Sequence, residues 1–271
     1  MLSQQTTTMK NIIMTLIFMI TSINAQTPSH TNSLGMKFVP VKDTQVYFCV
    51  HETRRQDYEL FDKEVPRTNI QWKICKIEGK PVGHEPTHPV VQVEYDDAVA
   101  FCDWLSQKEG KTYRLPTDKE WSYAVGTGNS EKWLKSSTPE SMHFDVVTNI
   151  NWFPWEAKKL PPTSGNYGDM SWVKAYTGNP YIEKYDDGFV TTAPVMSFKP
   201  NKFGLYDMGG NVSEWVSDWF NNQNIQRTLR GGGWQSSGKW LYSIARITLD
   251  EAGTKYYKSY GFRVVLEIPK R

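Results

Sequence analysis

Regular hydrophobic periodicity ends near Gly126, and this feature limits the folds open to the chain. Residues 127–200 are rich in proline, glycine, asparagine and aromatic side chains, so few helices or strands can be assigned there. Long loops in a compact domain usually serve a function, and we expect these to be ordered by a bound group such as a metal. Eleven tryptophans and fourteen tyrosines supply large side chains to pack them. The sequence therefore predicts an α+β fold with little regular secondary structure and long ordered loops.

Short helices and strands are predicted on either side of this region. Thr117 is followed three residues later by Glu120, which is the pattern of a capping box at a helix start. A second capping box is predicted at residues 53–56, with Tyr58 and Phe61 on one face of the helix that follows. The other predicted elements are a strand pair at 36–41 and 45–50, a helix at 96–108 that buries Ala98, Phe101, Cys102 and Leu105, a buried helix face of Trp121, Ala124 and Val125, and strands at 229–230 and 261–267.

The first 25 residues predict a secretory signal peptide. Lys10 precedes an apolar run at residues 12–20, and the small-residue exit Ile23-Asn24-Ala25 follows. The run is shorter than the roughly 20 residues that a membrane-spanning helix needs. We therefore expect cleavage after Ala25 and a secreted or periplasmic bacterial protein with no membrane span. A buried N-terminal helix is the alternative, and Met9 is an alternative start.

The mature chain is predicted to contain a flexible leader at residues 26–33 and one domain at residues 34–271. Removing residues 1–25 takes away Lys10 and no acid, so the formal net charge falls from +2 to +1. A near-neutral chain has no electrostatic footprint for nucleic acid, and we expect no such partner.

The cysteine count argues against a disulfide framework. The chain has three cysteines, Cys49, Cys75 and Cys102, and an odd number leaves at least one thiol unpaired. Cys49 lies in a strand pattern and Cys102 in a helical pattern, so we expect both to be small buried hydrophobic residues.

Five motifs occur in order along the mature chain and carry a family resemblance. They are residues 89–93 (PVVQV), 113–121 (YRLPTDKEW), 187–189 (DGF) with 193–195 (APV), 201–215 (NKFGLYDMGGNVSEW), and 230–234 (RGGGW) with 261–264 (GFRV). This series resembles the formylglycine-generating-enzyme, or sulfatase-modifying-factor, family and spans residues 34–267. The resemblance implies that family's variant of the C-type-lectin fold, with bound calcium.

The most specific motif contains a glycine turn between two carboxylates. Gly209 and Gly210 permit positive φ and close backbone approach, and Asp207 and Glu214 flank them. Calcium takes six to eight oxygen ligands, including carboxylates and backbone carbonyls. By resemblance, Asp207 and Glu214 with the carbonyls of Gly210 and Val212 match one calcium site of the family. The alternative is that the two carboxylates only cap the turn or pair with arginine or lysine.

The resemblance implies a second calcium site further towards the N-terminus. Its ligands would be the side chains of Asn166 and Asp187 and the carbonyls of Tyr167 and Phe189. The alternative is an ordinary turn, because the alignment to Asn166 crosses variable sequence.

The two cysteines that bind copper in the family are missing from this chain. Ser236 stands at the position of the first, Leu241 at the position of the second, and no cysteine follows Cys102. Soft thiolates select Cu(I), and a neutral serine oxygen does not replace them. Ser213 and Gly233 also replace an aromatic residue and a serine where the family's substrate groove lies. We therefore expect neither copper nor formylglycine generation, and the catalytic residues are unknown.

Three functions remain open on these grounds. The first is a calcium-stabilised binding module for a peptide, glycan or protein partner. The second is a divergent oxidative tailoring enzyme that uses the same groove with another metal, and the third is an envelope structural or assembly component. Aromatic side chains that could line a groove, with core packing as the favoured alternative, are Trp152, Trp155, Trp172, Trp234 and Trp240. Candidate polar groups for a divergent enzyme are Asp218, Ser236, Ser237, Tyr242 and Arg246.

Overall fold

The structure is a computed structural model that describes residues 30–131, 137–142, 164–176, 181–249 and 258–269. Its strands are His30–Thr31 (β1), Lys37–Pro40 (β2), Val46–Cys49 (β3), Lys76–Ile77 (β4), Lys80–Pro81 (β5), Tyr113–Arg114 (β6), Ser213–Trp219 (β7), Arg227–Arg230 (β8), Arg246–Ile247 (β9), Tyr260–Phe262 (β10) and Val265–Glu267 (β11). Its helices are Arg55–Glu64 (α1), Gln71–Ile74 (α2), Tyr95–Glu109 (α3), Asp118–Val125 (α4), Pro139–Met142 (α5) and Met170–Ala175 (α6), with a 3-10 turn at Gly238–Leu241. The elements are short and loops connect them over long stretches, which confirms the predicted α+β class.

Five strands form an antiparallel sheet in the order β1-β2-β3-β11-β6. The predicted strand pair is confirmed as β2 and β3, where Phe38 lies opposite Cys49. The C-terminal strand β11 lies between β3 and β6, with Val265 opposite Phe48. His30 of β1 pairs with Phe38, so residues 30–33 belong to the fold. The prediction of a flexible leader at 26–33 is therefore wrong for those residues.

A second sheet has the order β10-β7-β8-β9 and contains the longest strand, β7. The parallel pairing of β10 with β7 places Tyr260 beside Ser213. The predicted strand at 261–267 is therefore wrong as a single element. It is split at Arg263, so that β10 joins the second sheet and β11 joins the first.

The helix caps confirm most of the local predictions. Thr117 Oγ1 accepts from Glu120 N, and the Glu120 carboxylate accepts from Thr117 N, which completes the capping box of α4. The N-cap of α1 is Arg54 and not Thr53, which corrects the predicted box. Thr53 N donates to Phe262 O and its carbonyl accepts from Val90 N, so its backbone is bonded to other segments. Asp57 closes the helix start by accepting from Arg54 N at 3.3 Å.

Aromatic side chains of α1 and α3 build the largest core cluster. Tyr58, Phe61, Phe101 and Phe262 are fully buried and their rings contact each other. The predicted faces of α3 and α4 are buried as well. All three cysteines are buried free thiols, which confirms the prediction for Cys49 and Cys102. Among the described residues, no helix has the length and apolar character needed to cross a membrane.

Candidate functional site

The glycine turn of residues 207–214 packs directly against the segment that begins at Asn166. Asp207, Gly210 and Asn211 all have left-handed φ, at 55°, 85° and 59°. A Cβ at Gly210 would lie 2.4 Å from the carbonyl oxygen of Asn166 and 2.5 Å from the ring of Tyr167. Asn211 N donates to the same carbonyl at 2.8 Å. The residues of the two predicted calcium sites therefore lie on touching segments, which the sequence analysis did not anticipate.

The carboxylates of the first predicted site have different partners. Glu214 is buried, and its Oε1 accepts from Arg263 Nη2 at 2.7 Å while its Oε2 accepts from Trp121 Nε1 at 2.8 Å. Pairing with arginine, the alternative considered for both residues, thus holds for Glu214. Asp207 Oδ2 accepts from Met196 N at 2.9 Å, and its buried Oδ1 has no hydrogen-bond partner among the described residues. Burial raises the pKa of the Asp207 carboxyl to about 6. An orphaned carboxylate oxygen of this kind fits a hard cation.

The second predicted site has a similar orphaned oxygen. Asn166 is fully buried, and its Nδ2 donates to Thr191 O at 2.6 Å and to Asn211 Oδ1 at 3.1 Å. Its Oδ1 has no donor among the described residues. The Asp187 carboxylate accepts from the backbone N–H groups of Tyr167 and Phe189, at 2.9 and 2.8 Å. Burial raises the pKa of Asp187 to about 7.

The donor set at both places is chemically suited to calcium. A carboxylate oxygen that accepts one hydrogen bond keeps a further lone pair, so Glu214 and Asp187 can each also bind a cation. Within the described ranges, no three or more histidine, cysteine, aspartate or glutamate side chains form a metal-binding group. A cation at either place would therefore depend on amide and backbone oxygens as well as carboxylates, which is the ligand mixture that calcium accepts.

Glu52 is a buried carboxylate beside the turn that the sequence analysis missed. Its Oε1 accepts from Val212 N at 3.0 Å, and its Oε2 accepts from Asn211 Nδ2 at 2.7 Å. Burial raises the pKa of Glu52 well above its usual range, and the charges of Asp207 and Glu214 raise it further. No local pattern marks Glu52, because its partners lie about 160 positions away along the chain.

Ser236, which the resemblance matches with the family's first copper cysteine, is part of a tight turn. Ser236 Oγ accepts from Gly233 N at 3.0 Å, and the Ser236 carbonyl accepts from Gly168 N at 2.9 Å. At the second position, Leu241 is buried in an apolar cluster with Tyr167 and Tyr185. Copper binding as in the family would need two thiolates at these positions. The structure has the hydrogen-bonded hydroxyl of Ser236 at one and the apolar side chain of Leu241 at the other.

Gly233 is packed too tightly to accept the serine that the family resemblance implies at this position. A Cβ there would lie 2.5 Å from the Cβ of Ser259 and 2.8 Å from its carbonyl oxygen. Ser213, which replaces the expected aromatic residue, is fully buried and bonds through its N–H to the same carbonyl at 2.7 Å. Ser259 therefore packs against Gly233 and accepts a backbone hydrogen bond from Ser213, and sequence reasoning missed both contacts.

One of the candidate polar groups, Arg246, belongs to the scaffold. Arg246 is fully buried, where its Nε donates to Asp118 Oδ2 at 2.9 Å and its Nη2 donates to Glu131. Arg230 is buried beside it, pairs with Asp118, and donates to the carbonyls of residues 243 and 245. Two arginines and two acids thus neutralise each other under the 243–245 loop. The burial of Arg246 in this cluster contradicts its interpretation as a candidate polar group of a divergent enzyme.

The remaining candidates lie as follows. Asp218 Oδ2 accepts from Asp118 N at 2.8 Å, so it supports the start of α4. Ser237 and Tyr242 are half-buried. Trp172 and Trp234 are core residues in one cluster with Cys75, as the favoured alternative predicted, and Trp240 packs against the largest core cluster. Trp152 and Trp155 lie outside the described residues.

Comparisons with known proteins agree with the family resemblance. Residues 6–268 match the family described as the sulfatase-modifying factor enzyme 1-like domain. The formylglycine-generating enzyme of Mus musculus is 32% identical over 176 residues, which are 65% of this chain and 39% of that protein. The inactive C-alpha-formylglycine-generating enzyme 2 of Bos taurus is 32% identical over 173 residues, 63% of this chain and 46% of that protein. The chain thus spans less than half the length of these curated relatives.

A solved structure has the same fold. PvdO from Pseudomonas aeruginosa superposes with a TM-score of 0.54 at 23% identity, over 82% of this chain and 80% of that one. At this identity the likeness supports the fold and no more.

Proposed function

Because this chain belongs to the sulfatase-modifying factor enzyme 1-like domain family and has no cysteine at positions 236 and 241, we propose that it is a secreted, calcium-stabilised binding module. Its partner is a peptide, a glycan or another protein, and it does not generate formylglycine. The signal-peptide pattern of residues 1–25 supports secretion.

The proposal depends on the serine and the leucine at positions 236 and 241, which the resemblance matches with the two copper ligands of the family. The Ser236 hydroxyl is a hard, neutral donor that accepts from Gly233 N, and Leu241 offers no donor atom at all. The three cysteines of the chain do not substitute for them. Burial raises the pKa of the Cys49 thiol to about 12 and that of Cys75 to about 11, so both stay protonated at neutral pH. Cys102 is buried as well, and burial raises its pKa further.

The retained glycine turn supports the calcium part of the proposal. Asp207 and Glu214, with the carbonyls of Gly210 and Val212, would hold one ion, and the corresponding groups of residues 166, 167, 187 and 189 would hold the other. A bound calcium ion supplies positive charge to buried carboxylates. The orphaned oxygens of Asp207 and Asn166 are the atoms that such ions would satisfy.

A relative supports the loss of catalysis. The bovine protein that is 32% identical over 173 residues is named as inactive. The similarity to a protein named as inactive supports a non-catalytic role for this chain.

The proposal is tested by metal content and by product formation on the full-length chain purified after secretion. We expect elemental analysis to find calcium and no stoichiometric copper or iron. We also expect no aldehyde when the protein is incubated with Cu(I), oxygen and a cysteine-containing sulfatase peptide, under conditions in which an active family member converts that peptide. Aldehyde formation, or copper or iron at one equivalent per chain, would overturn the binding-module proposal.

A further inference from the structure

The two predicted calcium sites meet at one residue, Asn211. It lies between Gly210 and Val212, whose carbonyls are predicted ligands of the first site, and it is fully buried. Its backbone N–H donates to Asn166 O at 2.8 Å, and its side-chain Oδ1 accepts from Asn166 Nδ2 at 3.1 Å. Asn166 supplies the predicted amide ligand of the second site. Two hydrogen bonds therefore join a residue within one predicted site to a ligand of the other.

The side-chain amides on this path have a defined orientation. The Glu52 carboxylate is an acceptor, so Asn211 must present its NH2 group to it, and the two atoms lie 2.7 Å apart. Asn211 then presents Oδ1 to Ala193 N at 2.9 Å and to the NH2 group of Asn166. Asn166 Nδ2 has a second acceptor in Thr191 O, and this leaves Asn166 Oδ1 as the orphaned oxygen. The backbone N–H of Ala193 can only donate, so it fixes Asn211 Oδ1 and thereby determines which atom Asn166 offers to a cation.

The same residues also connect the backbone of the 210–212 turn to that of Asn166. Glu52 Oε1 accepts from Val212 N at 3.0 Å, and Gly210 is packed so closely on Asn166 that a Cβ would lie 2.4 Å from its carbonyl oxygen. A close-packed interior transmits displacements because it has no free volume to absorb them. A shift of the 210–212 backbone towards an ion must therefore move Asn166.

We propose that Glu52, Asn211 and Asn166 form a hydrogen-bonded relay that couples the two calcium sites, so that each ion binds more tightly when the other is present. This inference rests on the calcium framework of the proposed function. Asn211 is the positioning residue of the relay, since its side chain contacts Glu52 and Asn166 while its neighbours carry the carbonyl ligands. Coupling between binding sites is reciprocal and usually amounts to about 5–150-fold in affinity.

The coupling is measured by calorimetric calcium titration of the full-length chain after treatment with chelator. Asp207→Ala removes a ligand of the first site, and Asp187→Ala removes one from the second. Each variant is expected to bind one ion, with a Kd about 5–150-fold above that of the same site in the wild-type chain. Asn211→Gly removes the side-chain bonds of the relay without strain at φ 59°, because glycine readily adopts left-handed φ. The bond from the residue 211 N–H to Asn166 O and the packing of Gly210 remain, so in that background the loss of one site should raise the Kd of the other by a smaller factor than it does when Asn211 is present.

A matched control and two distinct outcomes complete the test. Asn32→Asp changes a buried asparagine whose Oδ1 accepts from Leu34 N and Met36 N, bonds that an aspartate retains, and it should leave the coupling intact. If Asn211→Gly does not fold, the two aspartate variants still decide the question. Two bound ions whose Kd values are independent would overturn the relay and leave the calcium framework standing. No calcium binding by the wild-type chain would overturn the framework and the relay with it.

Discussion

The buried charge cluster around Arg246 allows a quantitative prediction of stability. Arg246 donates to Asp118 Oδ2 at 2.9 Å, to Glu131, and to the carbonyl of Ile244 at 2.9 Å. Arg246→Met keeps an unbranched side chain of comparable length but removes every one of these donors. Asp118 retains its pairing with Arg230, whereas Glu131 loses the guanidinium and the carbonyl of Ile244 loses a donor.

The expected loss follows from the burial of these groups. Removing one partner of a buried ion pair leaves an uncompensated charge and costs about 3–5 kcal/mol. In a domain of this size 1 kcal/mol shifts the Tm by about 2–4 °C, so the Tm should fall by about 6–20 °C. Adding Glu131→Leu removes the stranded carboxylate, and we expect the double variant to recover most of the loss, because apolar replacement of both partners is often neutral.

Urea unfolding and differential scanning calorimetry measure the effect, with an unchanged urea m-value confirming that the same structure unfolds. The control is Lys63→Met, which breaks the exposed ion pair with Glu59 and should change stability by less than about 0.5 kcal/mol. A loss for Arg246→Met no larger than that of Lys63→Met would refute the assignment of Arg246 to a buried, energetically essential cluster.

Three further predictions concern acid stability, calcium and packing. Burial lowers the pKa of His51 from 6.5 to about 4, so the unfolded chain binds more protons than the folded chain between those pH values. This difference should lower the free energy of unfolding by about 2 kcal/mol on going from pH 7 to pH 5. His51→Gln should abolish that loss, as measured by urea unfolding. Calcium at 100 times its Kd should add about 2.7 kcal/mol to the free energy of unfolding for each site that it fills. An Asp207→Ala protein whose calcium-dependent Tm shift is unchanged would exclude Asp207 as a ligand. Gly233→Ser should destabilise the fold by about 1–3 kcal/mol, because its Cβ would meet Ser259. Ser259→Gly should restore only part of the Tm, because the carbonyl oxygen of residue 259 would still lie 2.8 Å from that Cβ.

Local patterns were sufficient for the elements whose hydrogen bonds close within a few residues. The capping box of Thr117 and Glu120 defines the start of α4, and left-handed Gly110 ends α3. The absence of a cysteine after Cys102 is a property of the sequence alone, so the loss of the copper ligands needed no structure. The five ordered motifs likewise identified the family and its fold class.

Other features depend on residues that are far apart in the chain. Strand β7 contains a charged residue, Glu214, that no strand pattern favours. The strand accommodates this residue in the core because Arg263 neutralises its carboxylate and Trp121 donates a hydrogen bond to it. The division at Arg263 between β10 and β11 follows from pairing with two different sheets, because β10 pairs with β7 at the edge of the second sheet and β11 lies between β3 and β6 in the first.

The candidate site also depends on residues that are far apart in the chain. The sequence predicted Asp207 and Asn166 as calcium ligands by resemblance, but nothing in it predicted that the two segments are in contact. Glu52 approaches Asn211 across 159 positions, and Ser259 fills the space beside Gly233. A hydrogen bond between residues close in the chain produces a spacing that can be recognised in the sequence. The partners of a buried charge or of an orphaned oxygen come from distant parts of the chain, so only the folded structure determines them.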